Sequence, residues 1–89
     1  MKVTVELHGA TKDLSKNNIL EFEIKKNSSI KDIKIEILEF IEKKFRGNQN
    51  LKKLIESSAF CSEKDEIVSE NYKINDNQKI GIIPPIGGG

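Results

Sequence analysis

The chain has 89 residues, enough for one small domain with a single modest core. Fifteen basic and fourteen acidic residues give a net charge of +1, which argues against a nucleic-acid binder, because such a protein needs a concentrated basic surface. The single cysteine, Cys61, rules out an intramolecular disulfide and a cysteine-rich zinc site, so we expect no metal. The one histidine, His8, lies far away in sequence, and we interpret Cys61 as an incidental thiol.

The first residues lack the long apolar run of a signal peptide, and no stretch of the sequence approaches the length that spans a membrane. We therefore expect a cytoplasmic protein that binds neither a membrane nor nucleic acid.

The N-terminal half opens with two predicted strands. Apolar residues alternate with polar ones over 3–7 and again over 20–24, which predicts two half-buried strands. The connection between them, residues 9–18, is polar and rich in turn-forming residues, so we expect a hairpin with a long loop.

An amphipathic helix is predicted next. Ser29 is a candidate N-cap, and Asp32 can complete a box-like cap at the positive end of the helix dipole. Gly47 is the expected stop. Because two half-buried strands need cover, we expect the helix to pack across them rather than to bind a membrane or a partner. Its apolar stripe consists of Ile30, Ile33, Ile37 and Ile41.

The C-terminal half predicts shorter elements. Within residues 48–62, Leu51, Leu54 and Ile55 have helical spacing and predict a short second helix that leads toward a strand near 59–61. A short strand at 66–68 follows, then a loop containing Tyr72 and Ile74, and a final strand at 79–83 that the prolines end. This order predicts an α+β domain: a mixed sheet of four to five strands, one main helix packed across it and a short second helix.

The last six residues carry the chemical information. Ordering a backbone costs about 1–2 kcal/mol per residue, with glycine at the high end, so a glycine tail contributes little to a stable fold. A backbone without side chains does, however, fit a narrow channel in a partner. A terminal carboxylate is an anion at neutral pH and needs activation, most simply by ATP, before a sulfur or a lysine amine can attack it. These residues are Pro84, Pro85, Ile86, Gly87, Gly88 and Gly89.

The segments 67–76 and 79–89 resemble the small subunit of molybdopterin synthase (the MoaD family) and, equally, the small archaeal modifier proteins. The specific part is the ending Pro-Pro-x-x-Gly-Gly at 84–89. The resemblance implies a β-grasp, ubiquitin-like domain over 1–83 and a flexible tail over 84–89. It further implies that Gly89 is the adenylated residue, with Gly88 completing the required glycine pair, and that Pro84 to Gly87 enter a partner's active site.

The resemblance implies a sulfur carrier rather than an enzyme. The Gly89 carboxyl would be adenylated by a ubiquitin-activating-enzyme-like adenylyltransferase that uses ATP, then converted to a thiocarboxylate. The large subunit of molybdopterin synthase would receive the sulfur, and no cofactor would be bound. The alternative is a protein modifier joined through Gly89 to lysines of target proteins, and a third possibility is a ubiquitin-like binding module with an inert tail.

Two further expectations concern the last strand and the turn before it. If Ile80 and Ile82 face the core, Ile83 faces outward and is a candidate partner-binding residue beside Ile86, although packing beneath a loop is equally open. Asn77 stands where the family often has glycine, so we expect it in a left-handed conformation. The other candidate partner-binding residues are Pro84, Pro85 and Gly87.

Overall fold

The structure is a computed structural model that describes residues 1–85. The helices are α1 (Ile30–Lys44), α2 (Gln49–Glu56) and a 3₁₀-helix (Gly9–Leu14). The strands are β1 (Lys2–Leu7), β2 (Ile19–Glu23), β3 (Ser28–Ser29), β4 (Ala59–Cys61), β5 (Ile67–Val68), β6 (Lys73–Ile74) and β7 (Gln78–Ile83).

Five strands form one mixed sheet in the order β2-β1-β7-β4-β5. β1 pairs with β2 antiparallel and with β7 parallel, so that Val5 lies between Leu20 and Ile80. β4 is antiparallel to both β7 and β5. The parallel pair needs a crossover, which the helical middle of the chain supplies. The predicted mixed sheet is confirmed, at the upper end of the expected strand number.

The core lies between one face of this sheet and α1. All four isoleucines of the predicted stripe are 0% exposed, so the stripe is confirmed as core. The strands contribute the other wall through their alternate residues, as the period of two in the sequence requires. These are Val3, Val5, Leu7, Leu20, Phe60, Ile80 and Ile82.

The ends of α1 follow the predicted signals. The Ser29 backbone N–H donates to Asp32 Oδ2 at 2.8 Å, and the Asp32 N–H donates to Ser29 Oγ at 3.4 Å, which completes a capping box. At the other end, Arg46 and Gly47 have φ angles of +52° and +67°, and the Gly47 N–H donates to the Ile41 carbonyl. The chain therefore turns away directly after α1, as a C-terminal glycine favours.

The 3₁₀-helix and the two-stranded ladder of β3 with β6 were not predicted. The connection 9–18 contains the 3₁₀-helix, whose Thr11 and Leu14 are buried, so this loop contributes to the core. Ile74, expected in a loop, lies in β6, which pairs with β3 in a separate two-stranded ladder, and its side chain is completely buried. Elements of two residues are too short to leave a periodic signal.

The expectation for Asn77 was wrong. Among the described residues other than glycine, positive φ angles occur at Asn18, Asn27, Arg46 and Asp65. The Asn77 side chain instead accepts a hydrogen bond of 2.7 Å from the backbone N–H of Lys2, at the start of the neighbouring strand β1. The amide therefore serves a tertiary contact in an ordinary backbone conformation.

Within residues 1–85, no helix is both long and apolar enough to cross a membrane.

Candidate functional site

β7 brings the chain to the base of the predicted tail. The strand lies between β1 and β4, and Ile80 and Ile82 on its inner side are buried. Ile83, its last residue, is 38% exposed. The predicted orientation of these three side chains is confirmed, while the role of Ile83 in partner binding stays a prediction.

Pro84 is half-buried against the start of the 3₁₀-helix. Gly9 has a φ of +53°, and a Cβ built on it would lie 3.0 Å from Pro84 Cγ. The turn is fixed by Thr11, whose Oγ1 accepts a 3.0 Å hydrogen bond from the His8 backbone N–H. Glycine therefore allows the backbone to approach Pro84 closely, and this contact fixes where the chain leaves the sheet. Pro85 is exposed.

The sheet face opposite α1, the outer face, carries an apolar strip next to this exit point. The register places Ala59 beside Ile83, and Cys61 between Ile67 and Gly81. Ile67 is 72% exposed and Ile83 is 38% exposed, so two large apolar side chains of this face are open to solvent. We call Ala59, Cys61, Ile67 and Ile83 the apolar strip.

Gly81 allows the Cys61 side chain to lie across β7. A Cβ built on Gly81 would lie 2.7 Å from Cys61 Sγ and 3.6 Å from His8 Nε2. The cysteine and the histidine, distant in sequence, thus approach the same point of the outer face. The sequence did not predict this arrangement, and it placed Ile67 in a short strand without indicating that its side chain lies beside Cys61. Only the strand register, which relates β1, β7, β4 and β5, could have shown it.

Charged residues border the apolar strip on the β1 side. Glu6 lies between two basic side chains, with Oε1 3.2 Å from His8 Nε2 and Oε2 3.2 Å from Lys79 Nζ. The hydrogen bond and positive charge of Lys79, with a smaller contribution from His8, hold the pKa of the Glu6 carboxyl below its ordinary value. The face therefore combines an apolar centre with a charged rim, the usual composition of a protein-binding surface.

The most important predicted site residues, Ile86, Gly87, Gly88 and Gly89, lie outside the described residues. Between residues 1 and 85, no group of three or more His, Cys, Asp or Glu side chains is arranged to hold a metal ion. The structure therefore brings together the base of the tail, Ile83 to Pro85, with an apolar strip that the sequence did not reveal.

No protein-family model matches the chain, and no curated protein sequence matches it. Solved structures do. A protein assigned as subunit 1 of molybdopterin converting factor from Pyrococcus furiosus has a TM-score of 0.71 at 21% identity, covering 97% of this chain and 99% of that one. The chain has the β-grasp fold.

Two further β-grasp structures extend the comparison. SAMP1 from Haloferax volcanii has a TM-score of 0.70 at 11% identity, with complete coverage of both chains. A ubiquitin from Caldiarchaeum subterraneum has a TM-score of 0.60 at 16% identity and covers 100% of this chain and 98% of that one. Because the sequence identities are this low, the structural likeness establishes the β-grasp fold and nothing more specific. This fold was the expectation from the sequence.

Proposed function

We propose that this β-grasp domain is a sulfur carrier whose Gly89 carboxyl group is adenylated and converted to a thiocarboxylate. In this proposal the chain supplies sulfur for molybdopterin biosynthesis and acts as a co-substrate, not as an enzyme. Its partners are a ubiquitin-activating-enzyme-like adenylyltransferase, which consumes ATP, and a larger subunit that uses the sulfur. The proposal rests on the sequence of the tail, on the β-grasp fold and on the geometry at the end of β7.

The observation that carries the proposal is the junction between β7 and the tail. Pro84 is held against Gly9, directly after Ile83 in the apolar strip. A partner that covers the strip would therefore meet the tail where it leaves the sheet. Six residues span up to about 20 Å when extended, which is enough to carry the terminal carboxyl into a neighbouring active site. Glycines at the end suit a narrow channel, because they present backbone alone.

The chemistry balances in two steps. A carboxylate oxygen of Gly89 attacks the α-phosphorus of ATP, forming the acyl-adenylate and releasing pyrophosphate. A hydrosulfide delivered by a sulfur donor then attacks the acyl carbon, AMP leaves with the bonding electron pair, and one proton is released. The product is a thiocarboxylate at Gly89. Activation is needed because the free carboxylate is a poor electrophile at neutral pH.

Intact mass spectrometry tests the proposal directly. The chain is incubated with ATP, an adenylyltransferase of the ubiquitin-activating type and a sulfide donor. We expect a mass gain equal to the difference between sulfur and oxygen, and no gain in a variant lacking Gly89. Formation of the adenylate without any sulfur product would contradict the carrier proposal. Absence of adenylation, with an enzyme shown to activate a known carrier, would leave only a binding module.

A second function, covalent protein modification, is favoured by the likeness to SAMP1 and to a ubiquitin. In this case an amine of a target lysine attacks the activated Gly89 carbonyl and forms an amide. The matched experiment uses an affinity-tagged chain expressed in cells beside the variant lacking Gly88 and Gly89. Higher-mass conjugates with a Gly89–lysine amide, found only with the intact tail, would establish modification. Their absence, together with the thiocarboxylate, would leave the carrier function alone.

A further inference from the structure

The helices α1 and α2 form a hairpin on the side of the sheet away from the apolar strip. Residues 45–48 connect the two helices. Lys52 Nζ pairs with Glu42 near this connection, and Lys34 Nζ donates a hydrogen bond of 3.1 Å to the Glu56 carbonyl at the other end, so the helices run antiparallel. A cleft of about 290 Å³ lies between them. We call this cleft the α1–α2 groove, and its lining residues are Ile35, Leu38, Glu39, Glu42, Lys52 and Glu56.

The floor of the groove is apolar and open to solvent. Ile33 and Ile37 are 0% exposed, so the helical period places Ile35, two residues from each, on the far side of α1 from the sheet. Ile35 is 46% exposed, and Leu38 beside it is half-buried. The domain therefore leaves apolar surface on this side of α1 that its own core does not cover.

The two walls of the groove carry unpaired carboxylates. Glu42 is neutralised by Lys52 at the end nearest the connection. Glu39 on the α1 wall and Glu56 on the α2 wall form no side-chain ion pair with any residue in 1–85. One negative charge therefore lies on each side of the apolar floor, and the groove favours an apolar occupant with a cation on each flank.

The basic residues near the other end of the groove do not cancel these charges. Lys34 Nζ donates a hydrogen bond of 2.9 Å to Glu70 Oε1, and the Lys31 backbone N–H donates one of 3.0 Å to the Glu70 carbonyl, so both lysines lie beside an acidic residue of the loop after β5. Neither lysine lines the groove. The charges of Glu39 and Glu56 therefore remain open to a partner.

The occupant that fits this groove is a helix. The backbone N–H and C=O groups of α1 and α2 along the groove are bonded within the helices or at their caps, so no ladder is open to an extended peptide. A helix satisfies its own backbone groups and packs its side chains between the ridges of two others. From Glu42 to Ile35 the groove follows α1 for about 10 Å, which corresponds to roughly two turns of a partner helix.

Charge decides against two other occupants. Stacking the groove of a second copy on this one would bring Glu39 and Glu56 of both copies together, and like charges repel in a closed contact. An anionic membrane surface would be repelled by the same carboxylates. A protein helix with basic flanks is attracted instead.

We infer that the α1–α2 groove binds an amphipathic helix of a partner protein, with an apolar stripe flanked on both sides by lysine or arginine. In heptad notation the stripe occupies positions a and d, and the basic residues occupy positions e and g, which lie on the two sides of the stripe. One apolar side chain packs on Ile35 and Leu38, and cations on the two flanks face Glu39 and Glu56. Because the groove and the apolar strip lie on opposite sides of the sheet, this partner binds while the strip and the tail are engaged elsewhere.

The test uses the full chain labelled with ¹⁵N and three capped peptides of three heptads. Each peptide is held helical by a hydrocarbon staple on the side away from positions a and d. The probe has leucine at a and d and lysine at e and g. The first control has glutamate at e and g, and the second has the composition of the probe in an order that forms no stripe. We expect only the probe to shift the amide resonances of Ile35, Leu38, Glu39 and Glu56.

Equal shifts with the probe and with the peptide that has no stripe would show attraction by charge alone and would overturn the inference. So would no response to any peptide, or shifts centred on Ile67 and Ile83. Shifts that grow with protein concentration in the absence of peptide would indicate a second copy in the groove and would overturn it. Preferential binding to vesicles that contain phosphatidylserine would assign the groove to a membrane, with the same consequence.

Matched variants make the test specific to the groove, with affinity measured by fluorescence anisotropy of the labelled probe. Glu39→Lys with Glu56→Lys should weaken binding about tenfold, since two attractive pairs become repulsive. The control, Glu63→Lys with Glu66→Lys in the connection between β4 and β5, changes the net charge equally and should leave binding unchanged. Equal effects of the two double variants would show that only net charge matters and would overturn the site.

A second pair of variants tests the apolar floor. Ile35→Ala keeps the helical propensity of α1 and should weaken binding of the probe about fivefold, because it removes apolar contact area. Ile67→Ala on the outer face is the control and should leave the affinity unchanged. Equal affinities of these two variants would contradict the role of the floor. Removal of Gly88 and Gly89 should not alter binding of the probe, so the failure of this inference and the failure of the sulfur-carrier proposal are distinguishable.

Discussion

Gly81 of β7 and Cys61 of β4 are paired across the outer face of the sheet, and a Cβ built on Gly81 would lie 2.7 Å from the Cys61 sulfur. Real Cβ atoms do not approach sulfur this closely, so glycine at this position and cysteine opposite are coupled by packing. Cys61 is buried by this arrangement, and its thiol forms the floor of the apolar strip between Ile67 and Gly81.

The first prediction follows from that contact. Gly81→Ala should lower the free energy of unfolding by about 1–3 kcal/mol, the usual cost of overpacking. In a chain that also carries Cys61→Ala, the same change should cost much less, because the sulfur no longer blocks the new methyl group. Urea unfolding of the four proteins in this double-mutant cycle measures the coupling. Additive effects on the free energy of unfolding would show that the Cys61 side chain moves aside without loss of stability, and would refute the packing argument.

The second prediction concerns the base of the tail. Gly9→Ala places a Cβ in a left-handed residue, which costs about 1–2 kcal/mol, and also presses on Pro84 at 3.0 Å. Gly9→Asn is the matched variant, because asparagine tolerates the left-handed region but still carries a Cβ. We expect Gly9→Ala to be the less stable of the two in urea.

Both Gly9 variants should slow adenylation of the chain, because both displace Pro84 and hence the direction of the tail. Normal adenylation by both would show that the contact between Gly9 and Pro84 does not orient the tail. Slow adenylation of Gly9→Ala alone would instead show that the effect comes from backbone strain at residue 9.

The third prediction is a pH dependence at the start of α1. Hydrogen bonds from the Ser29 backbone and hydroxyl lower the pKa of Asp32 below its ordinary value of 3.8. Since the folded pKa is the lower one, the stabilisation is complete above about pH 3.8 and is lost as the pH falls through the folded value. Asp32→Asn should therefore be less stable than the wild type at neutral pH, and its stability should fall less steeply in acid.

Unfolding by urea at a series of pH values from about 6 down to about 2 measures this difference. The pKa values of Glu6 and Glu70 are also lowered, through hydrogen bonds from Lys79 and Lys34. The Asp32→Asn variant therefore still loses some stability in acid. The informative quantity is the change in slope caused by Asp32→Asn. Parallel curves for the two proteins would contradict the capping assignment.

The sequence predicted those parts of the fold that have a periodic signal. The isoleucine stripe of α1, the alternation in β1 and β2, and the spacing of α2 all report burial on one face, and these elements were found. Ile83 could be assigned to the outer face because strands alternate with a period of two. The 3₁₀-helix and the ladder of β3 with β6 were missed, since two to six residues carry too little pattern.

The candidate site was less predictable because it depends on register between strands that are distant in sequence. Cys61 was interpreted as incidental, and Ile67 was predicted to lie in a short strand but not to belong to a site. Their adjacency to Gly81 and Ile83 arises from the pairing of β5, β4 and β7, which no local pattern encodes. Asn77 was misjudged for a related reason, since its partner, Lys2, lies at the other end of the chain.

The last prediction addresses Ile83 itself. Ile83→Asp should raise the KM for the chain in the adenylation reaction at least about fivefold, because it places a charge in the apolar surface that a partner must cover. The domain should stay folded, since the side chain is 38% exposed. Ile35→Asp on α1 is the matched control: Ile35 is 46% exposed but lies on the other side of the sheet, so its KM should be unchanged.

Thermal or urea unfolding accompanies each assay, with Ile82→Asp as the buried reference that is expected to unfold. A normal KM for folded Ile83→Asp would remove the strip from the docking surface, whereas unfolding of this variant would show that Ile83 belongs to the core.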